Sequence, residues 1–147
     1  MVSYKILAGA YSSVITTLQF NSTNSALPIV ATSSAGTNPS WLQAHPSNKS
    51  VVFASQEYAS GAIWSFAVGA SGQLTKIASA STSGDGPAHF LIPSSGKEVV
   101  AANYNSGNAL NIPLTADKAH FGTPFPFVQF NGSGPNPDRQ TSPHPHE

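Results

Sequence analysis

Apolar residues run through this chain in short bursts, each closed by a cluster of Gly, Pro, Ser, Asn or Thr. Trp41 to Ala44, Val51 to Ser55, Ile63 to Val68 and Leu74 to Ala78 are four such bursts in succession. In the third, Trp64, Phe66 and Val68 alternate with Ser65 and Ala67, which places the large side chains on one face of an extended strand. Short runs of this kind between turn-forming clusters predict antiparallel strands joined by tight turns.

The pattern repeats at a period of roughly fifty residues. Pro39-Ser40-Trp41-Leu42 is answered by Pro87-Ala88-His89-Phe90, Lys49 by Lys97, Val51-Val52 by Val99-Val100, and Ala54 by Ala102. Ser60-Gly61 is answered by Ser106-Gly107, and Trp64, Phe66 and Val68 by Leu110, Ile112 and Leu114. Four short strands in a repeat of this length describe one blade of a β-propeller. On the same ruler Lys5 to Tyr11, Val14 to Phe20 and Leu27 to Ala31 supply the second, third and fourth strands of a first blade without its inner strand, and Phe127 to Phe130 ends the third. The expected architecture is therefore all-β, a partial propeller of about three four-stranded antiparallel blades. Blade 1 covers about 4–35, blade 2 about 38–82 and blade 3 about 86–131, and a tail over 132–147 starts a fourth.

Composition agrees with this reading. Twelve glycines and twelve prolines, with few Lys and Glu, disfavour long helices because breakers recur and good helix formers are scarce. Six basic and six acidic side chains cancel, which leaves no electrostatic footprint for nucleic acid or an anionic membrane. The absence of cysteine excludes disulfides and thiolate chemistry and fits a reducing, cytoplasmic setting. Ile6 to Leu18 is interrupted by Ser12, Ser13, Thr16 and Thr17 and reads as strand, not as a signal peptide or membrane span. An unclosed set of blades also leaves two apolar faces open, so further blades or further copies of the chain are the expected partners.

Several segments resemble the lactonase-type seven-bladed β-propellers, a family that includes bacterial-type 6-phosphogluconolactonases and fungal 3-carboxy-cis,cis-muconate lactonizing enzymes. They are Ile6-Leu7-Ala8-Gly9-Ala10-Tyr11, Asn38-Pro39-Ser40-Trp41-Leu42, Gly86-Pro87-Ala88-His89 and the run from Val100 to Gly107. The most specific are Gly134-Pro135-Asn136-Pro137-Asp138-Arg139-Gln140 and Ser142-Pro143-His144-Pro145-His146. The resemblance implies a protein about twice this length or more, seven blades around one channel, of which this chain is the N-terminal part. It also implies hydrolase or isomerase chemistry on a small anionic sugar lactone or a carboxymuconate, with no organic cofactor.

Position three of each repeat opens the inner strand at the channel mouth, and here it is Trp41, His89 and His146. Imidazole titrates near neutral pH, which suits His146 to general acid or base work, and the planar guanidinium of Arg139 matches a carboxylate or phosphate. These two are the catalytic candidates. His89, His144, Asn103, Tyr104 and Trp41 are the substrate-binding candidates, Trp41 having blade packing as its commoner use. His45 and His120 are expected in surface turns. His144 and His146 lie two apart with Pro145 between and no evident third ligand, so no metal site is expected. The competing reading is a non-catalytic fragment that binds or self-assembles through its open faces.

Overall fold

The structure is a computed structural model and describes residues 2–146. Among the described residues there are strands and no helices: β1 (Ser3–Ala8), β2 (Val14–Asn21), β3 (Ile29–Ser34), β4 (Leu42–His45), β5 (Asn48–Gln56), β6 (Ala62–Val68), β7 (Leu74–Ser81), β8 (Pro87–Leu91), β9 (Glu98–Asn103), β10 (Asn108–Pro113) and β11 (Val128–Gln129). They form three antiparallel sheets in chain order, β1-β2-β3, β4-β5-β6-β7 and β8-β9-β10-β11. The first sheet has three strands where the others have four. The partial propeller is thus present, with blade 1 lacking the strand that lines the channel in blades 2 and 3.

Blade 2 is the middle layer. Its register pairs Val52 with Phe66 and Ala54 with Trp64, putting these four side chains on one face. That face packs against Ile15, Ala35 and Leu7 of blade 1. The opposite face, carrying Val51, Phe53 and Ile63, packs against Phe90, Ile92, Val99, Ala101, Leu110 and Ile112 of blade 3. A strand buried on both faces need not alternate, and this is why Val51 to Gln56 is buried without a break.

Between the blades several buried polar groups are paired, while Asn103 Oδ1 is buried without a hydrogen-bond partner among the described residues. The Thr17 hydroxyl donates to the Gly72 carbonyl (2.8 Å), the Leu74 amide to the Ser33 hydroxyl (2.8 Å), and the Ser65 hydroxyl to the Ala119 carbonyl (2.6 Å). Two carboxamides at the ends of second strands hold the connectors between blades. Gln56 accepts from the Thr37 amide (2.7 Å) and donates to the Ala35 carbonyl (2.8 Å). Asn103 donates to the Thr82 carbonyl (2.7 Å) and to Asn108 Oδ1 (2.6 Å).

The outer faces of blades 1 and 3 have no such cover in this chain. Tyr4 pairs with Phe20 and Ile6 with Leu18 across β1 and β2, and Tyr4 and Ile6 are 56% and 44% exposed. On blade 3, Val100, Ala109, Phe125, Val128 and Phe130 line an apolar groove of about 380 Å³.

His45 departs from expectation. It is fully buried, not in a surface turn, because the β4–β5 turn is tucked against the β8–β9 loop of blade 3. The Ser47 amide donates to His45 Nδ1 (3.2 Å), so Nε2 carries the proton and donates to the Gly96 carbonyl (2.9 Å). Gly96 has φ +64, and a Cβ there would lie 2.5 Å from His45 Cε1. His120 does sit in an exposed turn, its Nδ1 2.5 Å from Asp117 Oδ2.

Candidate functional site

Antiparallel order sends the turn after each second strand and the start of each inner strand to the same end of the molecule. These turns are 9–13 in blade 1, 57–61 in blade 2 and 104–107 in blade 3. The two connectors are fastened there in the same way. The Asn38 amide donates to the Ser12 carbonyl (2.8 Å) and the Asn38 carbonyl accepts from Glu57 (3.1 Å). One blade later the Gly86 amide donates to the Tyr58 carbonyl (3.0 Å) and its carbonyl accepts from Tyr104 (2.8 Å). Asn38 and Gly86 both adopt left-handed backbone, φ 49 and 65, just before a proline. Asn and Gly tolerate that region best.

At this end a cleft of about 240 Å³ is lined by Tyr11, Glu57, Ala88, Tyr104 and His146, which come from all three blades and the tail. The Tyr11 hydroxyl donates to Glu57 Oε1 (2.8 Å). That bond, then desolvation, then the carboxylate's charge raise the Tyr11 phenol above its ordinary value, so it stays a protonated donor at neutral pH.

The tail folds onto Tyr104. His144 stacks on its ring with centroids 4.5 Å apart, and His146 meets it edge-on at 5.9 Å. The Tyr104 carbonyl lies 2.9 Å from His144 Nδ1 and can only accept, so the proton sits on Nδ1. His144 Nε2 faces the Ser142 hydroxyl at 3.4 Å. His144 also lines a second cleft of about 390 Å³ with Gly134, Gln140 and Ser142. Trp41 and His89 meet edge-on at 4.4 Å. Of the three repeat positions, Trp41 and His89 therefore meet, while His146 lines a cleft with Ala88, the residue before His89.

Two candidates stand elsewhere. Asn103 is fully buried and its amide nitrogen is engaged by the connector. Arg139 lies in the exposed turn closed by the Gln140 amide on the Asn136 carbonyl (2.8 Å), and does not line the cleft that holds His146. Sequence reasoning passed over Tyr11 and Glu57 as site residues. The signal available for both was their place after the second strand of a repeat, the place Tyr104 takes in blade 3.

A family model described as "Lactonase, 7-bladed beta-propeller" matches residues 5–147. The chain is similar to a "Probable 6-phosphogluconolactonase" of Arthroderma benhamiae, 26% identical over 95% of this chain and 35% of that protein. It is similar in structure to a "putative 6-phosphogluconolactonase" of Bacteroides fragilis, with 28% identity and a TM-score of 0.85 over 97% of this chain and 40% of that one. The fold also matches a periplasmic gluconolactonase of Pseudomonas aeruginosa, with 23% identity and a TM-score of 0.82 over 92% of this chain and 41% of that one. The chain thus spans well under half the length of these relatives.

Proposed function

The chain belongs to the seven-bladed β-propeller lactonase family, and on that premise we propose that it forms the N-terminal blades of a lactonase that hydrolyses a small anionic sugar lactone of the 6-phosphogluconolactone type. The observation that carries this reading is the cleft in which Tyr11, Glu57, Tyr104 and His146 meet from three blades and the tail.

Hydrolysis requires a base for water, a donor for the developing oxyanion and a hold on the substrate's anion. In this proposal His146 takes a proton from water as its oxygen adds to the lactone carbonyl. The tetrahedral adduct then collapses, the ring C–O bond breaks, and the imidazolium returns its proton to the leaving oxygen, giving the open hydroxy acid. The Tyr11 hydroxyl, which here donates to Glu57 Oε1, releases that bond in this proposal and turns its single proton toward the oxyanion. Tyr104, backed by His144, holds the imidazole of His146 in place, and Arg139 stands outside this cleft, where its fork of donors would meet a phosphate or carboxylate extending from it. Trp41 and His89 form the neighbouring wall, and Asn103 acts through the connector it fastens. The chemistry calls for no organic cofactor, and the cysteine-free chain suits the cytoplasm.

The test is turnover of 6-phosphogluconolactone by the protein and by its His146→Ala and Tyr11→Phe variants. Loss of general acid–base help lowers kcat by about 10²- to 10⁴-fold in His146→Ala. Turnover unchanged in His146→Ala sinks the assignment.

A further inference from the structure

The end of the molecule opposite the His146 cleft holds a second opening. Three loops frame it: the β4–β5 turn of blade 2 and the β8–β9 and β10–β11 loops of blade 3. The opening is about 370 Å³, and its walls include Ser47, Ser95, Lys97, Thr115 and Lys118. Two of the chain's six cationic side chains line this one cleft, and no carboxylate does.

The walls are held in place from below. Fully buried His45 ties the two loops of different blades together through Ser47 and Gly96. Lys118 adopts left-handed backbone, φ 66, which a residue other than Gly, Asn or Asp rarely takes. Its ammonium donates to the Ser47 hydroxyl (3.0 Å) across the blade boundary. Of the acids beside the two lysines, Glu98 accepts from the Asn111 side-chain amide and Asp117 is turned into its own turn. Asp117 accepts from the Thr115 hydroxyl (2.7 Å), the Ala119 and His120 amides and the His120 ring, and these bonds hold its carboxyl well below the usual range. The lysines elsewhere differ: Lys76 lies over the Trp64 ring and Lys5 donates to the Ala70 carbonyl.

We propose that this cleft is an oxyanion site that takes a phosphoryl group, as inorganic phosphate or as a small phosphate monoester. Lys97 and Lys118 line the same cleft as Ser47 and Ser95, so a tetrahedral, doubly charged group seated there meets charge-assisted donors. The site is formed by blades 2 and 3 alone, so it depends neither on what covers the outer blade faces nor on the lactonase reading.

Amide chemical-shift titration of the chain at constant ionic strength tests it, with inorganic phosphate in one arm and glycerol 3-phosphate in the other. The expected result is a saturable response centred on Ser47, Ser95 to Lys97 and Leu114 to Lys118. Response in both arms assigns the phosphoryl group in general, and response to phosphate alone assigns the free ion. Lys97→Ala with Lys118→Ala weakens binding by about tenfold or more, Lys97→Arg retains it, and Lys49→Ala leaves it unchanged. Should the double variant fail to fold, as read by its own amide spectrum, Lys97→Gln alone takes its place. A response that does not saturate, that centres on Tyr11, Glu57 and Tyr104, or that Lys49→Ala weakens equally overturns the proposal.

Discussion

Blades 2 and 3 are copies of one repeat, yet their second strands are buried differently. β5 is buried without interruption from Val51 to Gln56, while β9 leaves Val100 open between buried Val99 and Ala101. The paired residues Val52 and Val100 are identical in type, 3% and 38% exposed. Blade 2 has a neighbour on each side and blade 3 on one, so burial here is a property of position in the stack more than of the residue. A propeller blade behaves as a repeat unit whose stability comes largely from its interfaces.

Three substitutions sharpen or break that contrast. The largest effect is expected for Phe53→Ala, which empties a fully buried site between blades 2 and 3. It costs about 3–5 kcal/mol in denaturant unfolding. His45→Ala comes next, since it leaves the Gly96 carbonyl and Ser47 amide without partners under the same interface. The expected loss is about 2–3 kcal/mol, and a cost near zero would detach the β4–β5 turn from blade 3. The smallest effect belongs to Val128→Ser on the open face, where the side chain is 60% exposed. Stability of this chain changes by less than about 0.5 kcal/mol, while binding of an apolar dye falls. A loss there as large as that of Phe53→Ala means that the outer face is covered after all.

Much of the fold was legible because the repeat is written in residue types. The Trp64, Phe66 and Val68 alternation survives as β6, and the equivalence of Leu110 and Ile112 survives as β10. The three-strand count of blade 1 was equally visible, since Lys5 to Tyr11, Val14 to Phe20 and Leu27 to Ala31 are the bursts that come before the repeat opening at Pro39. His45 was not legible. A histidine followed by Pro46 and Ser47 reads as an exposed turn, and only the approach of the β8–β9 loop, fifty residues on in the repeat, buries it.

The candidate site divides along the same line. His146, His144 and Tyr104 drew notice as side chains with chemistry in motif-like segments, and the structure gathers them by ring contacts. Glu57 carried no such local mark, and Tyr11, though it closes the segment Ile6 to Tyr11, had nothing beside it to tie it to a site. Their 2.8 Å hydrogen bond joins residues of different blades, and pairing of that kind has no signature within either segment.

By itself the order of residues determined the strand bursts, their period and the turn-forming clusters between them, because each is written in a few neighbouring residues. Only the tertiary structure decided which faces are covered, which polar groups are paired across blades, and that a tyrosine, a glutamate and a histidine share one cleft. Those outcomes depend on how whole blades stack, and stacking brings together residues that no local pattern connects.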